Sequence, residues 1–189
     1  TDYPMYLVVG ESAGSVLTTS HYPVAYSGTY VKATSRVNVY YDVVPITNPA
    51  TSMTGAASAA AWMSSSTSKQ NRIHIDLGIG VVIDQIYYEN FHDSGSETDR
   101  GAKNFTFWGT NDADAFAELT YGTDTDWTQI GGALQFDQHS GSDAADPKYI
   151  AVSNTTSYRY YCCKIADNWG DGDYMGLRRL VMRKNLINI

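Results

Sequence analysis

Arg72-Ile73-His74-Ile75-Asp76-Leu77 alternates polar and apolar side chains without a break. Successive side chains of a strand point to opposite faces, so this hexapeptide reads as a half-buried strand with Ile73, Ile75 and Leu77 inward. Working outward, the same texture recurs. Val81 to Tyr88 follows Gly78 and Gly80. Asn104-Phe105-Thr106-Phe107-Trp108 is closed by Gly109 and the turn-forming Asn111-Asp112. Trp127 to Ile130, Lys148 to Val152, Tyr158 to Ala166 and Leu177 to Arg183 complete the set. In Tyr158 to Ala166 the parity sends Tyr161, Cys163 and Ile165 inward and Tyr160, Cys162 and Lys164 outward. Short strands parted by polar, Gly-bearing turns predict an all-β, antiparallel two-sheet sandwich. A slip of one residue would carry Arg72 and His74 to the core face instead.

Composition agrees. Hydrophobic residues make up 43% of the chain, enough for a core, which excludes a disordered chain. Charged residues are 17%, against 15 Tyr and 4 Trp, and this argues for strands and loops over long amphipathic helices. The one helix-like piece is Ala56 to Met63, while Ser64 to Gln70 reads as loop. The first fifty residues differ in texture. Tyr6 to Val9 and Val37 to Val44 read as strands, punctuated by Pro4, Pro23, Pro45 and Pro49. Residues 1–50 are therefore expected to be a β-rich N-terminal extension, supplying extra strands or assembly contacts, and residues 51–189 the sandwich. The boundary falls between Thr47 and Ser52.

The net charge of −7 excludes a nucleic-acid footprint; the one tight basic cluster is Arg178, Arg179, Arg183 and Lys184. The longest uncharged apolar run, Leu77 to Ile83, is too short to span a bilayer. Cys162 and Cys163 are neighbours on a strand, pointing to opposite faces, so they are badly placed to bond each other. Two free thiols are expected, one packed and one exposed.

Gly10-Glu11-Ser12-Ala13-Gly14 matches the nucleophile elbow of serine esterases and follows a strand-like stretch, with His139 as a conceivable base. Too little chain precedes it for the strands and oxyanion loop such an elbow needs, and helix periodicity is absent after it. Gly78-Ile79-Gly80 lacks the third glycine and the helix of a dinucleotide site. The acidic run Asp167, Asp171, Asp173 has Arg178 where a calcium loop closes with Glu. His21, His74, His92 and His139 share no metal-ligand spacing. No catalytic residue, metal site or cofactor is expected.

From about Ala61 onward the chain resembles the discoidin-like family, also called F5/8 type C domains or family 32 carbohydrate-binding modules. The resemblance is carried by a succession of motifs. Trp62-Met63-Ser64-Ser65 comes first, then Ile73-His74-Ile75-Asp76-Leu77-Gly78, close to the family's I-x-I-D-L-G strand. Thr98-Asp99-Arg100 and Lys103 to Asp112 follow, the latter close to K-x-F-x-x-x-G-S-N-D. Trp127-Thr128 comes next, then Tyr158-Arg159-Tyr160-Tyr161, close to Y-R-Y-x-R-L, and finally Asn168 to Gly176 before the closing strand.

The resemblance implies an antiparallel jelly-roll β-sandwich of the galactose-binding-like kind, whose loops at one end hold a ligand, usually a sugar or a lipid headgroup. Aromatic plates under the apolar face of a sugar ring and charge-assisted hydrogen bonds to its hydroxyls suit that task. Carried over by position, the loop before the Phe105 strand offers Arg100 and Asn104, and the loop before the last strand offers Trp169 and Tyr174. His92, Asp99 and Asp171 join them by loop placement. Trp62, Trp108 and Trp127 fall to the framework. Many relatives hold a structural calcium near an Asp-Gly and a Glu on the final strand; here Thr54-Gly55 and Arg178-Arg179 stand in those neighbourhoods, and no calcium is expected.

Two functions of different class remain. One is a non-catalytic module that binds a glycan or surface polysaccharide, displayed on a phage particle (virion) or at an extracellular bacterial surface. The other is a purely structural virion decoration or tail component that assembles through its N-terminal extension, as a homo-oligomer or with other surface subunits, without a ligand.

Overall fold

The structure, a computed structural model, describes residues 17–66 and 69–186. Its strands are β1 (Leu17–His21), β2 (Val31–Ala33), β3 (Trp62–Met63), β4 (Asn71–Val81), β5 (Gln85–Asn90), β6 (Asn104–Thr110), β7 (Thr128–Gln135), β8 (Lys148–Ala151), β9 (Tyr158–Ile165) and β10 (Gly176–Leu186). One short helix, α1 (Ala113–Ala117), follows β6. The first sheet runs β1-β10-β5-β8, with β3 also paired to β10; the second runs β2-β4-β9-β6-β7. The strand pairings are antiparallel.

The core lies between the sheets, with Ile73 and Ile75 of β4, Phe107 of β6, Tyr161 and Ile165 of β9, and Leu177 and Leu180 of β10. The predicted register therefore holds on the inner face. Phe105 stacks on Phe136 at 3.9 Å, and Phe107 on Tyr161 at 5.3 Å. Burying a side chain of this size contributes about 1.5–3 kcal/mol. Tyr161 keeps its hydroxyl satisfied, donating to the Val81 carbonyl at 2.5 Å and accepting from Ile83 N at 3.2 Å. It thereby ties β9 to the turn between β4 and β5. At Gly109 a β-carbon would lie 2.3 Å from the Tyr158 ring, so no other residue fits there without displacing that tyrosine.

The opposite face of the second sheet departs from expectation. Arg72 and His74 point away from the sandwich core as predicted, yet both are 0% exposed. A second layer covers them: Ala115 and Phe116 of α1 and Trp127 pack with Tyr160 and Cys162. Both cysteines are consequently free and buried, where one exposed thiol was expected. Burial pushes the Cys162 thiol up to about 12, and that of Cys163 well above its ordinary value.

Three local expectations are corrected. Ala56 to Met63 forms turns that lead into β3, because the stretch is short and Trp62 and Met63 pair with β10. Val37 to Val44 is not a strand but carries one-turn 3₁₀ segments at Val39–Tyr41 and Val44–Thr47, the first capped by Asn38, whose side chain accepts from Tyr40 N at 2.8 Å, and the second opened by Pro45. Val81 to Tyr88 is broken between β4 and β5 rather than continuous. Of residues 1–50, the described part places β1 and β2 at one edge of each sheet. The Tyr6–Val9 stretch and the Gly10–Gly14 motif lie outside the described residues. No helix among the described residues is long and apolar enough to cross a membrane.

Candidate functional site

Loops 91–103, 136–147 and 166–175 meet at one end of the sandwich, and Asn90, at the end of β5, ties the first two together there. Its side-chain amide, 1% exposed with the rest of the residue, donates to the carbonyls of Ala102 and Asp137, both at 2.8 Å, and its oxygen accepts from Phe91 N at 2.9 Å. Isolated bridges, Gly101 to Gly176 and Ala102 to Asn168, close the first loop onto the third.

Within this frame the first loop makes a tight turn, Asp93 pairing with Ser96, and then passes through Glu97 at φ 57° into a single 3₁₀ turn, Thr98–Arg100. Left-handed backbone at a non-glycine residue is uncommon and here sets the aim of the next turn. Arg100 points across to the third loop. Its Nε donates to Asp171 Oδ2 at 3.2 Å, its Nη1 donates to Glu97, and its guanidinium lies 5.3 Å from the centre of the Tyr174 ring. Asp171 is itself well held: Oδ1 accepts from Asp173 N at 2.8 Å and from Tyr174 N at 2.6 Å. Partial burial alone would raise its pKa. The two backbone N–H groups and the Arg100 guanidinium outweigh that and keep the carboxyl below the usual carboxylate range.

Asn168 organises the same loop, donating to the carbonyls of Asp171 and Tyr174 at 2.9 and 2.6 Å. Trp169 is half-buried; its backbone N–H reaches Gly101 O at 3.1 Å and its indole N–H donates to Phe136 O at 3.1 Å. Lys103 Nζ sits 4.5 Å from the centre of that indole. Both aromatic rings are thus fixed in orientation, each with a cation beside one face.

The structure therefore brings Arg100, Asp171, Tyr174 and the exposed Asp99 together, with Trp169 close by through the first loop; Asp171 N donates to Asp99 O at 3.3 Å. Asn104 stands at the start of β6, its amide and backbone both bound to the Asp167 carboxylate at 2.9 Å. His92 is placed differently. It is 1% exposed and stacks on His139 at 4.0 Å; Nδ1 accepts from Gly95 N and Nε2 lies 3.0 Å from Met53 O. Burial, with Arg178 next in effect, pushes its pKa below the ordinary histidine value. It is a neutral support beneath the loop, not a surface group. His139, the conceivable esterase base, is 4% exposed in the same stack.

Where the resemblance would put a structural calcium, the residues present do not fit one. The Arg178 guanidinium, fully buried, donates to Gly55 O at 2.7 Å and touches His92 Nε2 at 3.0 Å. A second cation there would face that charge in a desolvated site. Among the described residues no three His, Cys, Asp or Glu side chains are grouped so as to hold a metal ion. The Arg100–Glu97 pair is one of the two bridges, to Asp99 or Glu97, that the sequence offered for Arg100, whereas Asn90 and the contacts of Lys103, Asp167 and Asn168 went unforeseen, because isolated polar residues at strand ends and in turns make no sequence pattern.

No family model and no curated protein matches this chain. Solved structures do. The family 32 carbohydrate-binding module of AlyQ, in complex with 4,5-unsaturated mannuronic acid, is 15% identical, with 86% of this chain and 96% of that one covered and a TM-score of 0.53. A family 32 module from Clostridium perfringens, in complex with GalNAc-β-1,3-galactose, is 14% identical over 80% of this chain and 92% of that one, at a TM-score of 0.52. An F5/8 type C domain from Bacteroides fragilis is 12% identical over 85% and 95%, at 0.53. At these identities the likeness is one of fold, and the fold is the discoidin-like jelly-roll sandwich.

Proposed function

We propose that this chain is a non-catalytic carbohydrate-binding module whose ligand docks on the loop end around Arg100, Asp171, Trp169 and Tyr174. The observation that carries the reading is the preorganised cluster itself. Arg100, its side chain 23% exposed, is held against Tyr174 by two carboxylates, beside a second aromatic on the same loop. A fixed guanidinium, acidic acceptors and aromatic faces meet the needs of a hydroxylated ring, and fixing them beforehand lowers the entropy cost of binding. Two of the similar structures are described as sugar complexes, which supports the same class of ligand. Asp99 is an exposed acceptor for hydroxyls; Asn104 and His92 act by holding the loops. The module works outside the cell, on a bacterial surface or a phage particle. A glycan array probed with the whole chain tests this: selective retention of one glycan class is expected, and retention of none overturns it.

One observation favours the structural alternative. Arg100 already pairs with Glu97 and Asp171, so its charge is satisfied without a ligand. In that reading the cluster is framework, and the chain assembles with copies of itself or other surface subunits through residues 1–50. Loss of stability rather than of binding in Arg100→Ala identifies it.

A further inference from the structure

The outer face of the first sheet carries a second set of groups, apart from the loop end. Strand register puts Tyr87 opposite both Val181 and Tyr149, Glu89 opposite Arg179, and Gln85 opposite Arg183. Side chains opposite one another share a face, so these residues form one surface. At one end the segment Pro49 to Met53 and Tyr22 roof it, leaving a cavity of about 300 Å³ over Tyr87 and Arg179. At the other end the surface is open, and Tyr149 is 54% exposed there.

Charge on this face is unbalanced. Arg179, 4% exposed, donates to the carbonyls of Asn48 and Thr51, and among the described residues it makes no ion pair. The carboxylate opposite it is committed elsewhere: Glu89 accepts from the Tyr87 hydroxyl and, at 2.9 Å, from Asp146 N. Among the described residues Arg183 makes no ion pair either. Its guanidinium lies 5.0 Å from the centre of the Tyr149 ring, its Nε is buried without an acceptor, and Gln85 Oε1 across the strand is buried without a donor. A chain of net charge −7 thus carries two arginines on this face, Arg183 partly exposed and Arg179 beneath the roof, and among the described residues no carboxylate is bonded to either. Beside them stands an aromatic plate, Tyr149 stacked on Tyr87 at 5.4 Å and 29°.

We infer that this face is a second ligand surface, independent of the loop end, and that its occupant is an acidic polysaccharide. A uronate ring supplies both complements: an apolar C–H face for Tyr149, and a carboxylate for a guanidinium that lacks one. Arg179 lies four positions from Arg183 along β10, about 13 Å of strand, and beneath the roof, so its charge adds to the attraction for an acidic chain while Arg183 and Tyr149 make the contact.

Affinity electrophoresis of the whole chain through gels containing polygalacturonate, with gels containing neutral galactan as the second arm, tests the inference. Polygalacturonate is expected to retard the protein in a salt-sensitive manner and galactan not to do so by this face. Tyr149→Ala and, separately, Arg183→Gln are each expected to weaken the retardation about tenfold, the scale of one stacking or charge-assisted contact. Tyr149 is an exposed edge-strand residue, so its thermal unfolding is expected to match that of the native chain; Arg183→Gln provides the check that does not depend on the tyrosine. Arg100→Ala, altered at the loop end, is expected to be retarded like the native chain, which separates this surface from the proposed glycan site. Absence of retardation by polygalacturonate overturns the inference. So does retardation of both variants equal to that of the native chain, loss of retardation in Arg100→Ala, or a concentration-dependent dimer in light scattering that Tyr149→Ala abolishes, which would make the face a contact between copies of the chain.

Discussion

Acidification is expected to unfold this protein through His74, and the structure sets the size of the effect. The imidazole is 0% exposed, between Phe116 and Trp127 at ring distances of 5.9 and 4.8 Å. Nδ1–H donates to Phe116 O at 2.9 Å and Nε2 accepts from Arg72 Nε at 3.0 Å. Arg72 is equally buried and is anchored through Nη1 to Thr123 O at 2.5 Å and Asp124 Oδ1 at 2.8 Å. A proton on Nε2 would remove the acceptor and set one buried cation against another. Burial, reinforced by the Arg72 charge and only partly opposed by the Phe116 hydrogen bond, lowers the pKa from 6.5 to about 4. The folded pKa lies below the unfolded one, so the unfolded chain takes up the proton first as pH falls. The stability is fully present above about pH 6.5 and is lost progressively down to about pH 4, amounting to about 3 kcal/mol from this residue. His74→Gln keeps an acceptor and a donor but does not titrate. Urea denaturation of both proteins between pH 7 and pH 4.5 reads the difference: native stability is expected to fall more steeply with acid than that of the variant. Parallel slopes would refute the assignment to His74.

Asn90→Ala removes three hydrogen bonds, two of them fully buried, and takes the Asn90 donor from the carbonyls of Ala102 and Asp137, so chemical denaturation is expected to show a loss of about 3 kcal/mol. Gly109→Ala forces a methyl into the Tyr158 ring and is expected to cost about 1–3 kcal/mol by the same assay; an unchanged midpoint would mean that Tyr158 moves freely. Cys162 and Cys163 are expected to resist iodoacetamide at pH 8 in the folded protein and to react once urea unfolds it, because burial disfavours both thiolates.

The inner faces of the sandwich were legible because burial on one side imposes a period of two. Ile73, Ile75 and Leu77 of β4, and Tyr161, Cys163 and Ile165 of β9, sit where that period puts them. The same period is silent about what covers the other side. Arg72, His74 and Cys162 look like surface positions, and they are buried by a five-residue helix too short to register as a periodic signal, plus one tryptophan. At the loop end, the turn-rich stretches holding Arg100 and Asp171 were readable from Gly and Asp content. Their pairing across 71 residues was not, since it depends on both loops leaving the same end of the sandwich. Asn90 shows the limit most plainly: a lone asparagine closing a strand looks like any other, yet it bonds to two loops besides its own chain neighbour.

Calorimetric titration of the glycan that an array selects, into the native chain, Trp169→Ala and Arg100→Ala, tests the proposed function most directly. A stacked ring and a charged contact are each worth about 1–3 kcal/mol, so each substitution is expected to weaken binding by about tenfold or more. Both residues are partly exposed, and the thermal unfolding of both variants is expected to stay near that of the native chain. Native-like affinity in both variants, or lowered melting temperatures with affinity intact, would contradict a glycan site at this end of the sandwich.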